Sequence, residues 1–278
     1  MKKDRNNSKE KKANKRLSDS ADRYELYEKS VQCAEAEVDF VDEQFFKLRN
    51  RKAKKLREDF CGTGQVSTEW VKRRRDNLSV GIDCDPEVLN WGKSRHVDKL
   101  TPSQKRRISF VKGDVRDVKT KAEDVVLATN FSYWCFKERA KLRTYFESAN
   151  ENLIEDGALF LDCFGGHEAY RLLEEETEHD EFTYIWDQAD FNPVNNNLIC
   201  HIHFAFPDGS RLERAFTYSW RLWTLVEIRE ILSEAGFGQS LVFWQGWDED
   251  VEGGSGDFSI VEKAEPDAGW IAYIVALK

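Results

Sequence analysis

Leu56-Arg57-Glu58-Asp59-Phe60-Cys61-Gly62-Thr63-Gly64-Gln65-Val66-Ser67 is the stretch on which the reading of this chain turns. It reads as the end of a strand, a glycine turn and the first turn of a helix. Gly62 and Gly64 accept backbone angles that a side chain disfavours, and they let a ligand approach the main chain. The next helix points free N–H groups back at the turn, which suits an anionic group. Two glycines one residue apart are a weak signal alone, because ordinary turns carry them too. The strands beyond Gly64, and the residues at their ends, decide the matter.

Downstream, strands and helices alternate. Leu78–Ile82 is a buried strand ending in Asp83, and Asp85 then Pro86 have the form of an N-cap and first helical residue. Ile108–Val111 is a third strand, closed by Gly113-Asp114. Glu123–Ala128 is a fourth, followed by Thr129-Asn130-Phe131-Ser132-Tyr133-Trp134. A helix spans roughly Lys137 to Leu153, and Gly157–Phe164 is a fifth strand that stops at Gly165-Gly166-His167. This rhythm predicts an α/β protein, doubly wound, with a mostly parallel sheet. It breaks between about 180 and 222. There Phe182–Trp186, Leu198–Phe204 and Arg211–Tyr218 read as three short strands of an inserted antiparallel β-meander. Thr224 with Glu227 forms a capping box for a helix that Gly236 ends. Strands near Leu241–Trp244 and Trp270–Leu277, separated by a polar glycine-rich loop, bring the sheet to seven strands.

Upstream of the turn, Tyr24, Tyr27 and Val31, then Val38, Val41, Phe45 and Leu48, fall at helical spacing. These helices either cap a site at the turn or only pack on the sheet. Residues 1–20 are expected to be a disordered basic tail, and 21–278 one domain with a helical cap over 21–50.

The 278 residues are 40% hydrophobic and 13% aromatic, enough for a folded core. Nine Trp against one Met hint at an aromatic-lined cavity, although large core residues are the plainer explanation. Eight Lys or Arg and two acids in the first 17 residues leave a net −15 on the rest of a chain whose total is −9. Such an acidic body does not suit a broad nucleic-acid surface. The six cysteines include no C-x-x-C, and no apolar leader or long apolar run is present. The expectation is free thiols and a cytoplasmic protein, with no membrane partner. His201 and His203 share a strand face but have no metal-ligand spacing to other residues, so no metal is expected.

Ligands in such sheets bind beyond the carboxyl ends of the strands. The first strand ends at Glu58 and the glycine turn. Asp83 follows Gly62 by 21 residues, close to the ~20 of a carboxylate that grips ribose hydroxyls. Asp114 is placed to accept from an adenine amino group, and the fourth strand ends at Asn130. Acids at successive strand ends point to an adenosyl ligand.

On these residues the run from Leu56 to Phe164 resembles the S-adenosylmethionine-binding core of the class I methyltransferases. Many of those carry an acid and then Cys-Gly-Thr-Gly, here Glu58 and Cys61-Gly62-Thr63-Gly64. Phe60 departs from the pattern, since the family often has glycine there. The resemblance implies a Rossmann-like methyltransferase fold with S-adenosylmethionine as cofactor. Gly62 and Gly64 would lie along its methionine part, Asp83 would hold the ribose, and Asp114 with Val115 would frame the adenine. Glu58, Cys61, Cys84, Asn130 and Phe131 complete the cofactor set. The antiparallel insertion, with Phe216–Trp223 and the helix ending Glu234–Phe237, is similar to the small-molecule N-methyltransferases, including glycine and sugar-amine enzymes.

That implies a small-molecule methyl acceptor, most simply an amine. Tyr133 and Trp134 are then candidates for one wall of the acceptor site, with Tyr133 counted among the catalytic residues. Tyr24 and Tyr27 are candidates for a lid, Arg221 for a clamp on a substrate carboxylate, and His167 for the base. Each has a plainer alternative, namely core for Tyr133 and Trp134, a surface ion pair for Arg221 and a loop residue for His167. The rival functions are an RNA or nucleobase methyltransferase, a nicotinamide dehydrogenase, and a non-enzymatic S-adenosylmethionine-binding protein.

Overall fold

The computed structural model describes residues 15–120, 122–248 and 253–278. Most of the expected basic tail lies outside these residues, but Leu17–Ser20 forms a 3-10 turn. Leu17 N–H donates to Asp208 and Ser18 N–H to Ser210. Helices α1 (Arg23–Ser30) and α2 (Ala34–Arg49) follow, then β1 (Lys55–Asp59), α3 (Gln65–Arg73), β2 (Leu78–Asp83) and α4 (Pro86–Arg95). Next come α5 (Pro102–Lys105), β3 (Ile108–Lys112), β4 (Glu123–Ala128), α6 (Arg139–Asn152) and β5 (Leu153–Gly165). β6 (Leu173–Glu178), β7 (Thr183–Asn192), β8 (Asn197–Ala205) and β9 (Arg211–Arg221) form the insertion. α7 (Leu225–Glu234), β10 (Gln239–Asp248), β11 (Gly253–Ile260) and β12 (Trp270–Leu277) complete the chain.

The main sheet runs β11-β10-β12-β5-β4-β1-β2-β3. β1 to β5 pair in parallel, and β12, β10 and β11 add antiparallel to that edge. Every residue of β4 is buried, as expected of a parallel strand covered on both faces. Val125 and Leu127 face α2 and α3 with Val38, Val41, Phe45 and Trp70. Val126 and Ala128 face α6 and α7 with Leu142, Phe146, Ile228 and Ile231. The side-chain period of two thus builds two cores on one strand.

Two strands depart from expectation. The glycine-rich segment read as a loop contains β11, so the sheet has eight strands rather than seven. The insertion has four strands, β6-β7-β8-β9, because Leu173–Glu178 pairs with β7. Its glutamates disfavour a strand by propensity.

At the ends of helices, local signals hold. Asp85 caps α4 by accepting from Glu87 N–H, with Pro86 next. The Thr224–Glu227 capping box opens α7. One feature of β1 is unusual. Arg57 and Asp59 form a fully buried ion pair at 2.7 Å, and Arg57 also donates to the carbonyls of Val115 and Val118. Tyr145 OH donates to Asp59. β1 thereby holds the loop after β3 in place.

Candidate active site

The glycine turn comes directly after β1. Phe60, Gly62 and Gly64 all have positive φ, at 56°, 51° and 69°. Gly64 is further constrained, because a Cβ there would lie 2.1 Å from the Phe110 ring. Gly92 of α4 serves the same loop, since a Cβ at 92 would lie 1.9 Å from the Thr63 carbonyl oxygen. The loop and α4 touch main chain to main chain. Gly62 N–H donates to Asp83 at 2.9 Å, and the other Asp83 oxygen accepts from Asp85 N–H. Asp83 therefore ties the loop to the end of β2. Cys61 is buried against Gly81, and burial pushes its thiol well up, whereas Cys84 is exposed. Asp114 is held by Arg116 through two side-chain bonds of 2.9 and 2.6 Å, which keep its carboxyl below the usual range. Val115 beside it is buried.

A second set of acids lies at the ends of β1, β4 and β5. Glu58 accepts from Ser67 N–H at 2.8 Å, and burial pushes its carboxyl up to about 8, with Glu37 and Asp83 adding repulsion. Glu37 of α2 accepts from Thr129 Oγ1 at 2.9 Å and is pushed up to about 7 by desolvation. Asp162 accepts from the N–H groups of Asn130 and Phe131 at 2.6 and 2.8 Å. Its carboxyl is also raised to about 7, by burial and then by Glu37. Those two bonds hold Asn130 and Phe131 in the left-handed region, at φ 56° and 55°.

α1 lies across this region. Glu28 accepts from Thr63 Oγ1 in the glycine turn and sits 2.6 Å from His96 Nε2. Asp22, the α1 N-cap, accepts from Trp91 Nε1 at 2.7 Å. Tyr24 donates to Glu87, with its ring between Trp91 and Phe216. α1 thus bridges α4 to β9.

A cavity of about 390 Å³ opens between α1, the four-stranded sheet and the ends of β5, β10 and β12. Asn130 and Phe131 line it, and they follow β4, the neighbour of the strand that leads into the glycine turn. One wall is Tyr184, Trp186, Tyr218 and Trp220, alternate residues of β7 and β9 that share a sheet face. The facing wall includes Trp244 and Trp270, with ring centroids 4.8 Å apart. Gly165 admits Trp270, whose ring would lie 2.2 Å from a Cβ at 165.

No protein-family model and no curated protein matches the chain. Solved structures do. An S-adenosylmethionine-dependent methyltransferase from Clostridium acetobutylicum superimposes with a TM-score of 0.66 at 16% identity, over 91% of this chain and 97% of that one. CalS10, an amino pentose methyltransferase from Micromonospora echinaspora solved with S-adenosylmethionine bound, gives 0.64 at 14% identity, over 95% and 99%. The sugar N-methyltransferase KedS8 from Streptoalloteichus gives 0.59 at 16% identity, over 92% of each. The chain has the class I methyltransferase fold. The four-stranded sheet is the insertion expected within it.

Within the methyltransferase fold, the structure brings Glu58, Cys61, Gly62, Gly64, Asp83, Asp114, Val115, Asn130 and Phe131 to the carboxyl ends of β1 to β4. Other expectations need correction. Tyr133 is fully buried and its OH donates to the Asp162 carbonyl at 2.7 Å, so it is core and outside the lining of the aromatic cavity. Trp134 is also fully buried; it packs behind the wall, against Phe164 and Trp220. Arg221 donates to Glu227 and to the Lys137 carbonyl, and stacks over Trp223 at 3.7 Å, away from the cavity. His167 is exposed and outside the cavity lining. Tyr27 lines the cavity, whereas Tyr24 fastens α1. His201 and His203 share a face of β8 turned to Thr217, Asp187 and Glu213. Sequence reasoning missed Glu28, Glu37, His96 and Asp162. Only Asp162, an acid inside the apolar run Leu159–Phe164, carried a visible signal. No helix among the described residues is long and apolar enough to cross a membrane.

Proposed function

We propose that the protein is an S-adenosylmethionine-dependent methyltransferase that methylates an amine of a small molecule. The observation that carries this reading is an adjacency. The glycine turn follows β1, and the cavity-lining residues Asn130 and Phe131 follow β4, the strand paired with β1 at Glu58 and Leu127. The residues suit the cofactor. Gly62 leaves room along the turn while Gly64 makes way for the Phe110 ring, Asp83 offers carboxylate oxygens at the ribose spacing, and Glu58, Glu37 and Asp162 are carboxyls that a cationic centre would favour in the ionised form. When bound, the cofactor supplies a methyl group already activated by its sulfonium.

The chain's own residues hold, orient and exclude water. Alignment of donor and acceptor alone can supply roughly 7–11 kcal/mol of the barrier. The amine must shed its ammonium proton before it can attack the methyl group. The Glu37 and Asp162 carboxyls, raised to about 7, are bonded to the Thr129–Phe131 loop and suit acceptance of the released proton through water. They replace His167 as candidates for that task.

The test is titration calorimetry with S-adenosylmethionine and S-adenosylhomocysteine, followed by methyl-labelled cofactor with a fractionated metabolite extract. Heat with both ligands, label in a small amine, and loss of both with Asp83→Ala are expected. Absence of heat with either ligand overturns the proposal.

A further inference from the structure

We infer that the cavity selects an acceptor whose only formal charge is positive, an amine on an apolar ring-sized body that bears no carboxylate, phosphate or nucleotide. This rests on the reading of the cavity as the acceptor site and names the substrate class. Among the described residues that line the cavity there is no lysine, arginine or histidine. The two basic groups that sequence places nearby are spent elsewhere: Arg221 pairs with Glu227, and His167 is outside the lining. An anionic substrate would enter with no cation to meet it, and burial of an unpaired charge is strongly disfavoured.

The charges that are present are all acidic. Glu168, Glu175 and Asp267 border the cavity, with Glu175 and Asp267 exposed as at a mouth. Glu168 shares its charge weakly with Arg171 at 3.5 Å, whereas Glu175 has no ion-pair partner among the described residues. Glu175 stands opposite Trp186 in the β6–β7 register, and both face inward. A carboxylate beside an indole face is a site for an ammonium ion, attracted by charge and by the ring quadrupole. Tyr218 and Trp220 stack at 4.4 Å on the same wall, and the Trp244–Trp270 pair closes the other. The volume of 390 Å³ fits a ring system of a few hundred daltons.

The experiment compares matched pairs on the full chain, tryptamine against tryptophan and phenethylamine against phenylalanine. Binding is read by calorimetry, with and without saturating S-adenosylhomocysteine. Each amine should bind at least tenfold more tightly than its amino acid. Trp186→Leu should weaken tryptamine at least tenfold, and Glu175→Gln several-fold, with S-adenosylhomocysteine affinity unchanged. Preference for either amino acid, or no binding of either amine, overturns the inference. The arm without cofactor reports on the cavity even if the cofactor reading fails, and heat from S-adenosylhomocysteine reports on that reading alone.

Discussion

Gly62 and Gly64 both have positive φ, at 51° and 69°, but different surroundings, and that difference is measurable. A Cβ at 62 meets nothing within 4 Å, so Gly62→Ala bears only the left-handed conformational cost of about 1–2 kcal/mol. A Cβ at 64 runs into the Phe110 ring, which adds an overpacking cost of about 1–3 kcal/mol. Thermal melts should therefore rank Gly64→Ala clearly below Gly62→Ala, with S-adenosylmethionine affinity reduced more than tenfold at position 64. Equal melting points for the two variants would contradict the geometry. These glycines and Asp83 were legible in sequence because backbone conformation and a 21-residue strand–helix–strand spacing are local properties. Asp162 and Glu37 act through partners 31 and 92 residues away, at Phe131 and Thr129, and no local pattern joins them. Tyr133 and Trp134 fail for another reason. Apolar character marks burial but does not separate a cavity wall from the layer behind it.

Among the elements, β1 couples stability to the proposed cofactor site through Arg57. Arg57→Leu leaves Asp59 buried without its partner and should cost about 3–5 kcal/mol by denaturant titration. The double variant Arg57→Leu/Asp59→Leu removes both charges and should recover a large part of that loss. It should not recover cofactor binding, since the carbonyls of Val115 and Val118 still lack their donor and the loop carrying Asp114 is released. Stability and affinity should therefore part company, as melts and calorimetry on the same samples will report. A double variant as unstable as the single would show that the pair is not the relevant unit. Most elements were visible beforehand because β2 to β5 contain apolar stretches bounded by turn residues, α4 and α7 carry caps, and β1, itself largely charged, is marked by the glycine turn that follows it. β6 and β11 were not. The first is mostly glutamate and the second glycine-rich, and each exists because a neighbouring strand offers an edge to pair with.

Over the whole molecule, the acids gathered at the strand ends predict how stability and cofactor binding depend on pH. Glu58 is raised to about 8, and Glu37 and Asp162 to about 7, from ordinary values near 4. Between pH 4 and 8 the folded chain thus holds protons that the unfolded chain has released. Stability falls as pH rises wherever the folded state binds more protons. Asp114 and Asp156, held low by Arg116 and Arg51, titrate below this window and do not offset the fall. The melting temperature of the cofactor-free protein should drop by roughly 5 °C or more from pH 5.5 to pH 8, because ~1 kcal/mol moves the midpoint of a chain this size by ~2 °C. A bound sulfonium reverses the balance by favouring the ionised carboxyls. Binding of S-adenosylmethionine at pH 6.5 should release protons, and the stabilisation it confers should be larger at pH 8 than at 5.5. S-adenosylhomocysteine, with no charge on sulfur, should release fewer. Calorimetry in phosphate and in imidazole separates the cases, since the apparent heat shifts with the buffer's ionisation enthalpy in proportion to protons released. Identical heats in both buffers, or a melting temperature that climbs from pH 5.5 to 8, would mean that Glu37, Glu58 and Asp162 are already ionised in the empty fold and do not answer to the charge of the ligand.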